Sequence, residues 1–339
     1  MDGIRMRNDD RPMFAAEETR AESHRETQGL WLGLLGVVIF AMTLPMTKLA
    51  VGTASDPQLP PQFVTAGRAA FAGLLSIGYL WLTGAPRLQR RHLPALAVSA
   101  LGTVVGFPLF LSLALRQVDA MHAAVVTGLM PLATAVVAAL HFRQRPSFGF
   151  WACAVLGCVL VLMFAAHQGS GRLSAADGLL LLAVLSGAIG YVAGARVSAR
   201  LPAEQVICWV LVISLPLTLP AMLATWPAQP ARAGAWGGFA YVTLFSMWLG
   251  FFAWYRGLAL GGTVRVSQVQ LVQPFLALLF AVPVLGETLE ATTVLFSLAV
   301  IAIVFVGKKM PAGTRTNTGA SAPAIPPASA SVSPPARTL

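Results

Sequence analysis

The sequence predicts an all-α polytopic membrane protein whose ten transmembrane helices form two inverted five-helix repeats. Three observations predict it. Of the 339 residues, 56% are hydrophobic and only 11% charged, where a soluble domain carries about a quarter charged residues. The apolar residues come in blocks of roughly 20, the length a helix needs to cross a hydrocarbon core. The ten blocks divide into two sets of five, and because five is odd, a duplicated half enters the bilayer upside down.

The chain opens on a polar, mixed-charge stretch, 1–29, unlike a short signal peptide, so the first block is expected to stay as a helix behind a cytoplasmic tail. The blocks lie near 30–50, 62–83, 93–114, 121–140, 148–166, 178–198, 205–225, 237–257, 261–283 and 290–307. Spanning strands would be shorter and would alternate apolar with polar residues, which these blocks do not. The first repeat covers 30–166 and the second 178–307. The stretch 311–339, rich in Pro, Ala and Ser, is expected to be a disordered tail.

A net charge of +10 suggests nucleic acid until its placement is read. With the N-terminus in the cytoplasm, fifteen Lys and Arg lie in or beside inner segments, among them Arg90, Arg91, Arg143 and Arg145. The outer loops hold three, Arg116, Arg172 and Arg232. This is the positive-inside bias, and it predicts that both termini face the cytoplasm. The partners expected are the lipid bilayer and a small-molecule substrate, with no nucleic acid. Cys153, Cys158 and Cys208 fall inside blocks; without metal-ligand spacing they read as packing residues, and neither a metal nor a cofactor is expected.

Ala114–Gln144 lies over Gly257–Glu287 at a constant offset of 143, which sets Pro131 over Pro274 and Gln144 over Glu287. The two stretches share an order: short loop, polar-started span, proline within the span, polar cap. Such inverted repeats build transporters, with the substrate held near the midplane between halves.

Four stretches carry a family resemblance: IFAMTLPMTKLA in the first block, TAGRAAFAGLL in the second, ALRQVDAMHAAVVTGLMPL entering the fourth, and QLVQPFLALLFAVPVLGE in the ninth. Over about 30–307 the chain resembles the EamA family of the drug/metabolite transporter superfamily. The resemblance implies an inner-membrane carrier or exporter of small metabolites, amino acids among them. Gln144 stands where the family often has an acidic residue, a departure in the first half.

The ninth block poses a physical problem, because lipid cannot satisfy its amides. On a helix Thr263, Ser267, Gln270 and Pro274 share one face, with Gln273 beside it. That stripe must look at another helix or at water. Either it glues the bundle, or it walls a cavity in which Gln amides offer donors and acceptors to a substrate. The offset makes Thr127 the mirror of Gln270, Met130 of Gln273 and Val125 of Gln268, predicting a cavity more polar on its ninth-span wall. The cavity is expected between the third, fourth, eighth and ninth spans.

Three cations sit in or near spans. Lys48 is expected to snorkel to the outer interface, and Arg265 to anchor topology. Arg68, about 9 Å into the second block at helical rise, is either structural, through a salt bridge or a carbonyl clamp, or a site for a substrate carboxylate. Trp248 is the aromatic nearest mid-membrane on its face and a candidate for stacking on a substrate. Pro45, Pro108, Pro131 and Pro274 mark expected helix breaks or gates. Glu287 is expected to cap the tenth helix, and His122 to lie near the interface.

An intramembrane enzyme would need a buried Asp pair, a zinc helix or a Ser with a His base at depth. None is present in the sequence, so no catalytic residue is assigned and the chain is not expected to be an enzyme. No mid-span carboxylate offers a proton relay, and no phosphate-cradling loop appears. The leading reading is a secondary exporter by alternating access; facilitated import and broad drug efflux are its rivals.

Overall fold

The computed structural model describes residues 11–86, 88–143, 145–168, 173–198, 201–261, 266, 269–309 and 312–313. Ser267, Gln268, Arg265, Thr263 and Gln144 lie outside the described residues, as do 1–10 and nearly all of the C-terminal tail.

Among the described residues the architecture is helical, and eight helices are long and apolar enough to cross a membrane. They are His24–Val51, Pro61–Leu82, Arg90–Leu115, Ala120–His141, Phe148–Gln168, Ala175–Ala195, Glu204–Ala224 and Ala233–Gly261. Two shorter apolar helices follow, Gln270–Leu285 and Ala291–Gly307. These ten are called the first to tenth helix below. The only strand ladder among the described residues is a two-residue pairing of Arg145–Pro146 with Ala312–Gly313. The first helix reaches further back than its apolar block, since helical structure begins at Arg11. Within the ninth, a 3-10 turn at Gln270–Val272 leads into Gln273–Leu285.

The first helix packs on the eighth and the third on the sixth; the second meets the seventh, the fourth the ninth, and the fifth the tenth. Two of these crossings are set by small residues. A Cβ added to Gly257 would stand 2.6 Å from the backbone nitrogen of Gly33, and one on Gly190 would stand 2.7 Å from that of Thr103. Backbones this close gain dispersion contacts that lipid cannot outbid. Outward faces carry large exposed hydrophobics such as Trp81, Phe148 and Leu295, as a lipid-facing surface requires.

Irregular backbone collects before prolines. A turn at Met42 precedes Pro45, a π-helical stretch Ala100–Gly106 precedes Pro108, a break at Gly128–Leu129 precedes Pro131, and the 3-10 turn precedes Pro274. Proline has no N–H to give the carbonyl four residues earlier, so that turn is free to loosen. The seventh helix runs on through Pro216 and Pro220, so a proline permits a break without dictating one. The eighth helix has its own π-helical stretch, Val242–Leu249.

Candidate functional site

The loosened turns surround one large cavity of about 1050 Å³, counted to its open mouth. Its walls come from the first, second, third, fourth, sixth, eighth, ninth and tenth helices. Backbone that departs from regular helix inside a membrane is tolerated where it lines such a hollow.

Of the residues singled out in the sequence, Gln270, Gln273, Thr127 and Arg68 all line this cavity, with Pro108, Pro131 and Pro274. The two glutamines are half-buried, and neither side-chain amide has a hydrogen-bond partner among the described residues. Thr127 instead spends its hydroxyl on its own helix, donating to the Ala123 carbonyl at 2.7 Å. The ninth-helix wall is therefore the richer in free polar groups.

Trp248 requires a correction: it is not in the cavity lining. Its indole packs into an aromatic group with Phe252, ring centroids 4.9 Å apart, and Tyr79, 6.3 Å apart. Pro45 is likewise buried in the helix Thr43–Val51 and off the cavity. Phe251, three residues after Trp248, turns its ring to the cavity instead.

Arg68 is the cavity's cation. It is only 4% exposed. Its Nη2 donates to Ser246 Oγ at 3.1 Å and to the Met247 sulfur at 3.5 Å. Ser246 Oγ in turn shares a 2.8 Å hydrogen bond with Thr43 Oγ1, so one polar chain joins the second, eighth and first helices. Nε and Nη1 are buried with no partner among the described residues. Of the two alternatives read from sequence, the structural one has neither its salt bridge nor its carbonyl clamp among the described residues.

The sequence reading missed Tyr191, Ser246, Thr43 and the ring-bearing walls Phe40, Phe107 and Phe251. A signal was there to find some of them. Carried into neighbouring helices, the offset of 143 sets Thr103 over Ser246 and Leu44 over Gly187, and each pair lines the cavity. Thr127 with Gln270, Met130 with Gln273 and Pro131 with Pro274 do so too.

The end of the bundle that holds Val51, Leu115 and Ala120 is tied together by charge. Lys48 does not snorkel: it is 8% exposed and its Nζ donates to the carbonyls of Leu115 and Val118, both at 2.7 Å. Arg116 donates to the carbonyls of Val51 and Leu59. Glu287 caps the fourth helix rather than the tenth, its two carboxylate oxygens accepting from the N–H groups of Ala120 and Met121 at 2.7 and 2.9 Å. Gly286 makes this possible: its φ of 71°, open to a residue without Cβ, turns the carboxylate back. Burial raises the Glu287 carboxyl above its usual range, and the two N–H donors oppose that rise. His122 is buried too, Nε2 standing 2.7 Å from Asp177, so it is no interfacial residue.

Among the described residues no group of three His, Cys, Asp or Glu stands where it could hold a metal. Cys158 is exposed and Cys208 buried, all three cysteines being free.

The model of the EamA-like transporter family matches this chain twice, at residues 27–166 and 174–307. The chain belongs to the EamA-like transporter family. It is 43% identical over 288 residues to the "uncharacterized transporter YdeK" of Bacillus subtilis (strain 168), covering 84% of this chain and 99% of that protein. It is 24% identical over 266 residues to a "probable terminal-alkyne amino-acid exporter" of Streptantibioticus cattleyicolor, covering 77% of this chain and 86% of that one. A protein solved by crystallography shares its fold, with a TM-score of 0.57 at 17% identity, over 84% of this chain and 97% of that chain. With eight apolar helices and this family, the EamA-like chain is a multi-pass membrane protein.

Proposed function

We propose that this EamA-like protein is an inner-membrane secondary exporter of small metabolites of the amino-acid kind, working by alternating access. Its ten helices form two inverted five-helix halves, and both termini face the cytoplasm. The observation that carries the reading is the central cavity, walled by residues 143 apart from both halves. Two further facts support the duplication: the family model matches each half, and the helix contacts map onto themselves when the halves are exchanged, first on eighth becoming sixth on third.

The charge placement supports the orientation. One end carries Arg25, Arg90, Arg91, Arg143 and Arg256; the other carries Asp56, Asp119, Glu287 and Glu290 beside few cations. The end tied by Lys48, Arg116 and Glu287 is then the outer face, so this conformation is closed to the outside. Transport follows if those ties release while the opposite ends of the two halves close, the substrate staying near the midplane. The exporter direction draws on the name of the Streptantibioticus relative.

Cells overexpressing the protein are screened for resistance to a panel of amino acids and analogues, and each hit is followed in proteoliposomes with imposed proton gradients. Resistance with lowered cell content of the compound is expected. Flux in inverted against right-side-out vesicles tells export from import. Chemical conversion of a hit without movement, or no flux of any hit, overturns the reading.

A further inference from the structure

We infer that Arg68 is a carboxylate-binding residue, and that a carboxylate on a partly apolar body is the group the cavity requires of its cargo. The inference rests on the export reading above for calling the bound molecule cargo, but not for the binding itself.

A guanidinium carries five N–H donors in a fixed plane and stays charged. In Arg68 the Nη2 end is spoken for by Ser246 and the Met247 sulfur. The Nε–H and both Nη1–H groups have no acceptor among the described residues. A cation sealed from water with open donors is a poor structural device, because burial of charge is repaid only by a close opposite charge and saturated hydrogen bonds. Among the described residues no protein group supplies that charge. No Asp or Glu is among the cavity-lining residues, and 262–268, GTVRVSQ, outside the described residues in part, contains none.

Charge and shape then name the ligand. The described lining contains one cation and no acid, so a single negative charge neutralises it, whereas a phosphate dianion would be left half-compensated. Planar carboxylate matches the planar fork. Ser246, Thr43 and Tyr191 put hydroxyl groups in the same cavity, while Phe40, Phe107 and Phe251 give apolar walls. An α-ammonium finds no acid in the described lining; it meets amide and hydroxyl oxygens and ring faces. The ammonium of an amino acid is thus tolerated and the carboxylate is necessary. Cationic drugs lack the required group.

The test uses purified full-length protein and four probes of one chain length at equal millimolar concentration: hexanoate, norleucine, hexanamide and hexylamine. A ligand that binds only the folded state raises the melting temperature. Hexanoate and norleucine are expected to raise it by several degrees, hexanamide and hexylamine to leave it unmoved, and Arg68→Gln to abolish the rise. The melting temperature of empty Arg68→Gln separates roles: a structural arginine would lower it on removal, a ligand-binding one leaves it equal or higher. If Arg68→Gln does not fold, the inference is overturned on that ground. Ser246→Ala, which unfastens the guanidinium, is expected to demand about tenfold more hexanoate for the same rise. An amide as effective as the acid, no response to either acid, or an unchanged response in Arg68→Gln overturns the inference. Flux of all four probes in proteoliposomes keeps the two readings apart. Carboxylate-dependent melting without flux sinks export and leaves the site standing, whereas flux of amide equal to acid sinks the site and leaves export standing.

Discussion

Lys48 and Arg68 are both cations buried within the helical bundle, 8% and 4% exposed, and they have been treated in opposite ways. Lys48 sits at a helix end and gives its ammonium to two carbonyls at 2.7 Å, where the third helix ends at Leu115 and its dipole favours positive charge. Arg68 sits mid-helix beside a cavity, held at one nitrogen, with the other two buried and without a partner among the described residues. The first arrangement stabilises a closed end. The second leaves an electrostatic demand unmet, which only something entering the cavity can meet. Residue type and burial alone would not separate them; the partner count does.

The largest effect expected from that contrast is on stability. Lys48→Met keeps most of the aliphatic stem but strands two carbonyls, which costs about 2–3 kcal/mol. Arg68→Met removes an unsatisfied charge, and stability is expected to hold or rise by about 1 kcal/mol while transport of the cargo is lost. Melting of the two purified variants beside wild type checks this. Equal losses from both would erase the distinction drawn here between a structural and a ligand-facing cation.

Next comes the polar wall that Arg68 faces. Gln270→Leu combined with Gln273→Leu is expected to cut transport about tenfold, as the loss of one or two hydrogen bonds to a substrate would, with normal amounts of protein in the membrane. Both amides lack partners among the described residues, so no structural bond is broken. Unchanged transport would take the ninth-helix wall out of substrate binding and leave Arg68 alone. A fall in membrane abundance would instead mark the glutamines as bundle glue.

Much of this was legible beforehand, and the part that was not has a physical pattern. The helices were readable because each spans a bilayer alone and must be apolar along its length, which is why the 148–166 block and Phe148–Gln168 agree so closely. Gln270 and Gln273 were readable because amides in lipid need a reason. Lys48, Glu287 and His122 were misjudged together, for one cause: each takes its partner from a distant part of the chain. Glu287 finds Ala120 across 167 residues and His122 finds Asp177 across 55. A local rule, capping the next helix or snorkelling to the nearest interface, cannot see such partners. Trp248 failed differently, since helical phase near a π-helical stretch drifts, and the face counted at regular spacing is not the face presented.

Third in size is the tie at the closed end, the other side of the Lys48 comparison. Glu287→Ala leaves two helix-start N–H groups without an acceptor, a loss of about 1–2 kcal/mol by analogy with other N-terminal caps. Because that tie joins the fourth helix to the turn after the ninth, the closed end should open more readily. Faster amide exchange at Ala120 and Met121, with little change at Ala183 or Ala188 in the sixth helix, is the expected signature. Uniform acceleration along the chain would mean that the cap supports the whole fold rather than one gate.

The smallest effect belongs to the aromatic that turned out to lie behind the cavity wall. Trp248→Phe keeps a ring against Tyr79 and Phe252, and the indole N–H it discards has no hydrogen-bond partner among the described residues. Trimming the larger ring leaves a small void, costing about 1 kcal/mol or less if the neighbours relax. Transport should stay within about twofold of wild type, since rates follow interactions with the substrate and this side chain lies outside the cavity lining. Phe251→Ala is the matched probe, because that ring does face the cavity; it should weaken cargo binding more than Trp248→Phe does. If the order is reversed, the eighth helix is turned relative to the arrangement described, and Ser246, whose hydroxyl holds Arg68, would turn with it.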